Sequence, residues 1–159
     1  MNTMNAKSDH AQIILNPFFV YFLMALCAIL LQRFLPLPEV PLGQIPRTIV
    51  AVVMLANLGI GLAAARGMLT ARTSLNPHRP TTALVLSGPF GFTRNPMYVG
   101  LTVFYMGLML VFGLTWGLIL LPAVIWLITI WVIVPEEKYL EQKFGADYLN
   151  YKSRVRRWV

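Results

Sequence analysis

The chain has 159 residues, of which 57% are hydrophobic and 12% charged, against roughly 45–50% apolar and about 25% charged in a soluble domain. With a mean hydropathy of +0.65, so short a chain carries more apolar surface than one core can hide, which excludes an ordinary water-soluble globule and makes lipid the expected surroundings. The net charge of +7 falls between long apolar runs, so anionic membrane lipids rather than nucleic acid are the expected partner.

In chain order, a polar start to Gln12 is followed by an apolar stretch over about 13–35, the first expected span, too long for a signal-peptide core and without a small-x-small cleavage site. Its lone Cys27 excludes an intramolecular disulfide or a cysteine zinc cluster, and no metal site is expected. Pro36, Pro38 and Pro41 make a short connection that cannot continue a helix. A second span covers about 45–66, bordered by Arg47 and Arg66, with Asn57 its one strongly polar interior group and Gly59 and Gly61 expected to allow close helix packing. Residues 70–96 then turn to Arg, Thr, Ser, Pro and His, a long polar connection of the kind that carries function.

Met97 to Val134 holds no Lys, Arg, Asp, Glu or His over 38 residues, and one helix of that length would reach about 57 Å against a hydrocarbon core of about 30 Å. The run is therefore expected to fold back near Gly113-Leu114-Thr115 into spans 97–113 and 115–134, with Pro122 kinking the return. Pro135-Glu136-Glu137 opens a tail, 135–157, with helix-start chemistry. Leu140, Phe144, Tyr148 and Tyr151 give it one apolar aromatic face, so it reads as an amphipathic helix lying on the membrane surface, broken or bent at Gly145. Eleven of the 13 Lys and Arg residues fall on the side of the termini and the long connection, which places those segments in the cytoplasm. The fold expected is all-α, a single multi-pass membrane domain over 1–159: four transmembrane helices plus a cytoplasmic C-terminal amphipathic helix.

Two adjacent carboxylates beside lipid phosphate suit either a helix-start role or a cationic ligand. Arg94, before Pro96 at the mouth of the third span, can pair with a glutamate or hold an anionic group of a ligand. Leu84-Val85-x-x-Gly88-Pro89-Phe90-x-x-x-Arg94-Asn95-Pro96-x-Tyr98-x-Gly100, followed after the apolar hairpin by Glu136-Glu137-x-x-Leu140-x-x-x-Phe144-Gly145-x-x-Tyr148-x-x-Tyr151, resembles the isoprenylcysteine carboxyl methyltransferase and phospholipid methyltransferase superfamily of integral-membrane enzymes. The resemblance covers roughly residues 70 to 157. The first two spans rest on hydropathy alone.

The resemblance implies S-adenosyl-L-methionine as methyl donor, with cofactor contacts on Thr82, Ala83, Leu84, Val85, Phe90, Asn95, Pro96, Met97, Tyr98 and Glu136, and on Glu137 as a weaker candidate; Arg94 is the tentative catalytic residue. Chemically, Glu136 answers the cofactor's cations, Phe90 with Tyr98 its adenine, and Arg94 with Asn95 its carboxylate. Thr82 to Val85 can otherwise be a loop packed on the bundle. Methyl transfer is an in-line displacement that needs alignment and exclusion of water, and a membrane bundle lets a lipid-like acceptor enter sideways. A carboxylate acceptor needs no base, whereas an amine must lose its proton; His78 and Tyr98 are candidate bases, His78 reading equally as an exposed loop histidine. The chain departs from the family pattern twice. Asn95 replaces the commoner histidine, and Trp131-Val132-Ile133-Val134 lacks the basic residue with which members acting on prenylcysteine hold the substrate carboxylate. A small or lipid-like amphiphilic acceptor is therefore expected; the motifs name neither the acceptor nor an oligomeric state. Two competing readings are a small four-span transporter, disfavoured because no acidic residue lies inside a span, and a membrane reductase using a nicotinamide cofactor.

Overall fold

The computed structural model describes residue 11 and residues 13–40, 47–76 and 79–159. His78, the candidate base, lies outside the described residues, as do the first two positions of the expected second span. All regular structure among the described residues is helical.

Helix α1 spans Pro17–Phe34; the Asn16 side chain accepts the Phe18 N–H at 2.9 Å and Pro17 sits in the first turn, a start that satisfies one orphan donor and uses a residue with none. Helix α2 spans Arg47–Thr70. It stops where Arg72 takes a left-handed φ of 54° and the Arg72 and Thr73 N–H groups return to the Leu69 and Met68 carbonyls, each at 2.9 Å, a Schellman ending made without glycine. Helix α3 is Pro96–Val111. The return leg comes in pieces: α4 Thr115–Ile119, α5 Leu121–Ile128, a π-helical turn Thr129–Ile133, and α6 Val134–Phe144, with α7 Ala146–Arg154 closing the chain.

Hydrogen bonds give the direction of each leg. The Tyr21 hydroxyl reaches the Tyr98 carbonyl at 3.2 Å and Thr102 Oγ1 at 2.7 Å, so α1 and α3 start at the same end. Asn57 Nδ2 donates to the Gly100 carbonyl at 2.8 Å, and a Cβ at Gly107 would meet Met54 Sδ at 2.6 Å, so α2 runs antiparallel to α3. The chain reverses at Gly113, φ 64°, and Glu136 comes back within 2.9 Å of Tyr98. The expected fold-back of the 97–134 run is therefore present. At the far end, Trp116 Nε1 donates to the Leu35 carbonyl and Thr115 Oγ1 to the Pro38 carbonyl, both at 2.7 Å.

The core lies between α1, α3 and the return leg, where Ala28, Val124, Ile128, Val132 and Ile133 are fully buried beside Tyr105 and Met109. Helices α1 and α2 are long and apolar enough to cross a membrane, and they turn large apolar groups outward, with Phe22 66% and Leu55 67% exposed. Lipid supplies no hydrophobic drive between helices, so close backbone approach and the buried Asn57 amide carry much of the α2–α3 contact.

Two expectations are corrected. Gly59 and Gly61 do not pack, since a Cβ on either would meet nothing within 4 Å; the close approaches use Gly107 and Gly117, where a Cβ would strike Met54 and Met109. The 115–134 leg is not one kinked helix, because Pro122 in the first turn of α5 starts a new one after Leu120. The tail, by contrast, breaks at Gly145 as expected, giving two helices with the glycine at φ 53°, a conformation glycine adopts freely.

Candidate functional site

Residues 71–76 and 79–95 are tied by hydrogen bonds to one another and to the tail helices. Thr82 is tied back on its own loop, its N–H to Thr73 Oγ1 at 3.1 Å and its hydroxyl to the Arg72 carbonyl at 2.7 Å. Tyr139 of α6 accepts the Thr81 N–H at 3.1 Å. Gly88, φ 63°, opens the 3-10 turn Gly88–Gly91, and the Tyr151 hydroxyl of α7 holds the Phe90 carbonyl at 2.7 Å. Loop and tail are thus joined before α3 begins.

The adjacent glutamates at the start of α6 have separate environments. Glu137 is buried, and its Oε1 accepts from Arg94 Nη2 at 2.7 Å and Arg157 Nε at 2.9 Å while Oε2 accepts from Arg157 Nη2 at 2.8 Å. Burial raises its pKa, but the Arg157 hydrogen bonds and the two guanidinium charges outweigh this and hold the carboxyl below the usual range. Glu136 is half-buried and accepts one hydrogen bond, from the Tyr98 hydroxyl to Oε2 at 2.9 Å. Burial pushes its carboxyl up to about 7, against the Tyr98 hydrogen bond and with a further push from the Glu137 charge. The chain therefore keeps one carboxylate locked in an ion pair and one with coordination to spare, poised between charge states near neutral pH.

That second carboxylate opens on a cleft at the end of the bundle where α1, α3 and α6 begin. The cleft and its mouth span about 1000 Å³ of empty space, part of it open to solvent. Most of its wall is apolar: Ala83, Leu84, Val85, Phe90, Pro96, Met97 and Leu101, with Pro17, Phe18 and Met68 from the starts and ends of α1 and α2. Asn95, Tyr98, Arg94, Glu136 and Glu137 supply polar groups.

Ten of the expected cofactor positions, Ala83 to Val85, Phe90, Asn95 to Tyr98, Glu136 and Glu137, thus face one space, although they come from two blocks of sequence separated by the apolar hairpin. Thr82 is not among the lining residues. Of the two roles open to Arg94, the structure places it in the glutamate pair. Its Nη1 also donates to the Lys152 and Val155 carbonyls at 3.0 and 3.2 Å, and its Nε is buried without a partner among the described residues. Asn95 likewise spends Nδ2 on the Arg157 carbonyl, at 2.9 Å. Sequence reasoning missed Arg157 as a partner of Glu137, having counted it only as a basic tail residue; only its place in the cationic tail hinted at a carboxylate partner.

Residues 47–147 match the phospholipid methyltransferase family. This stretch is more than half of the chain and contains both blocks that line the cleft, and the protein belongs to that family. A 72-residue stretch, 45% of the chain, is 32% identical to protein-S-isoprenylcysteine O-methyltransferase of Schizosaccharomyces pombe and covers 30% of that protein. The Saccharomyces cerevisiae protein of the same name is 33% identical over 72 residues, again 30% of its length. An uncharacterized Haemophilus influenzae protein is 41% identical over 63 residues, 35% of this chain and 98% of its own. The match thus spans under a third of the two named methyltransferases. No solved structure matches the chain. Family membership and the outward-facing apolar helices α1 and α2 together describe a membrane protein of the methyltransferase type.

Proposed function

We propose that the protein is an S-adenosylmethionine-dependent membrane methyltransferase that acts on a small or lipid-like amphiphile at the bilayer surface. The observation that carries this reading is the incompletely coordinated Glu136 carboxylate facing the same apolar cleft as Phe90, Met97 and Tyr98. The residues fit the cofactor's chemistry in kind. An anion with spare coordination suits its sulfonium and ammonium, and an aromatic and thioether wall suits adenine. When bound, the cofactor supplies an electrophilic methyl group. Glu136 would hold the cationic portion, with Tyr98 orienting its carboxylate through Oε2. Phe90, Met97 and Val85 would exclude water from the reacting centre, which keeps the acceptor from competing with solvent. Arg94 serves as the brace that keeps Glu137 and the loop together, so the tentative catalytic residue becomes a structural one in this reading.

The rim of the cleft and the π turn both bear on the acceptor class. Pro17, Phe18 and Met68 form an apolar edge to the cleft, suited to an acyl or prenyl chain arriving from the membrane. Val132 and Ile133, where a basic anchor for a prenylcysteine carboxylate is absent, are fully buried in the helix core. A bare carboxylate drawn into such surroundings would cost several kcal/mol. The test is purified protein with methyl-labelled cofactor and a panel of farnesylcysteine derivatives, phosphatidylethanolamine and total membrane lipid extract. Saturable labelling of an extract component is expected. Efficient labelling of the farnesylcysteine compound, with no better acceptor in the extract, would contradict the acceptor assignment.

A further inference from the structure

The walls of the cleft come from segments that meet only in space, Tyr98 and Glu136 being 38 residues apart, and the C-terminal segment beyond α7 ties them together. Its main chain grips the loop wall. The Arg156 carbonyl accepts the Arg94 N–H at 2.9 Å, and the Arg157 carbonyl accepts Thr93 Oγ1 at 3.0 Å and Asn95 Nδ2 at 2.9 Å. The Arg157 side chain reaches the opposite wall, with Nε 2.9 Å from Glu137 Oε1 and Nη2 2.8 Å from Oε2. Trp158 pins the end of the segment, its indole N–H 3.1 Å from Thr129 Oγ1 in the π turn that precedes the glutamates. One residue thus holds the 93–95 loop by its carbonyl and α6 by its guanidinium, and it is not among the residues that line the cleft. It also lies beyond the stretch that matches the family, which ends at 147.

We infer that Arg157 is a positioning residue, which sets the separation between the Asn95–Tyr98 wall and the Glu136 wall and thereby the fit of the ligand between them. The inference rests on the cleft being the cofactor site. A two-bond, side-on guanidinium–carboxylate contact fixes both distance and orientation, whereas a lysine offers a point charge with one bond at a time. Misplacement of about 1 Å in such a site costs up to about 100-fold in function.

The experiment compares full-length Arg157→Ala, Arg157→Lys and the control Arg154→Ala, whose side chain is exposed and, among the described residues, bonds only the Asn150 carbonyl of its own helix. Two readouts are taken: amide hydrogen exchange of the 93–98 segment, and S-adenosylmethionine affinity by calorimetry. The expected result is faster exchange and about 10- to 100-fold weaker binding in Arg157→Ala, partial recovery of both in Arg157→Lys, and no change in Arg154→Ala. Unchanged exchange, or unchanged affinity, in Arg157→Ala overturns the positioning role, as does equal loss in Arg154→Ala, which would point to tail charge at large. Should Arg157→Ala fail to fold, Arg157→Lys decides by the same two readouts: wild-type values overturn the role, and intermediate loss of both supports it. Failure of the wild-type protein to bind the cofactor would instead remove the functional reading, while exchange still decides whether Arg157 clamps the two walls.

Discussion

Two neighbouring glutamates differ in their partners: Glu137 is held by Arg94 and Arg157, and Glu136 accepts from the Tyr98 hydroxyl. The pair itself is plain in the sequence, but its division is not: adjacent residues on a helix point about 100° apart, and only the packed fold shows which one meets Arg94 and Arg157. Glu136, raised to about 7, is neutral below that pH and charged above it, so a cationic ligand gains its partner as pH rises. S-adenosylmethionine affinity is expected to increase from pH 6 to pH 8 in the wild-type protein and to be flat in Glu136→Gln; calorimetry across that range checks it. Glu137 has the opposite sign. Its pKa is lowered in the folded protein, so its stabilisation is present above the ordinary carboxylate range and is lost as pH falls through the folded value. In the Arg94–Glu137 pair both side chains are only 7% exposed, and removing Arg94 leaves Glu137 with Arg157 as its ion-pair partner. Arg94→Ala is expected to cost about 1.5–3 kcal/mol, the range for a lost charged hydrogen bond, read as a lower midpoint of thermal unfolding.

Helices report the same contrast between what a pattern can and cannot carry. The fold-back of the 97–134 run was legible because 38 uncharged residues cannot cross one bilayer as a single helix, and Gly113 offers the left-handed turn. The glycines of the helix interfaces were not legible, since a glycine facing lipid and one facing a neighbour look alike in a uniformly apolar helix. Gly59 faces open space while Gly107 lies under Met54. Gly59→Ala is accordingly expected to stabilise by about 0.5–1 kcal/mol through helix propensity. Gly107→Val is expected to destabilise by about 1–3 kcal/mol through overpacking against α2. Paired thermal unfolding of the two variants reads the difference. The π turn at Thr129–Ile133 was beyond the sequence as well, because nothing in Thr-Ile-Trp-Val-Ile distinguishes it from an α-helical turn; it sits directly before the glutamates, where such irregularities often attend function.

At the scale of the molecule, four legs run between two ends, and the cleft, the polar loop and the cationic tail gather at one of them. We propose from the distribution of basic residues that this end faces the cytoplasm. With Cys27 first replaced by serine, a cysteine introduced at Leu114 is expected to react with an impermeant thiol reagent only from the outside, and one at Ser153 only from the inside; the reverse pattern would invert the topology. How much of the site was readable follows the same logic: the two motif blocks indicated residues that line one cleft, whereas nothing in the sequence sets Arg157, which joins its walls, apart from the other basic residues of the tail. The central claim is that this cleft binds S-adenosylmethionine through Glu136. Equilibrium binding of radiolabelled S-adenosylmethionine and of NADPH to the purified protein and to Glu136→Gln tests it most directly. The account predicts saturable binding of S-adenosylmethionine alone, weakened in Glu136→Gln by about 1.5–3 kcal/mol, the range for a lost charged hydrogen bond. Binding of NADPH in its place, or an affinity for S-adenosylmethionine that is the same in a folded Glu136→Gln protein, would contradict it.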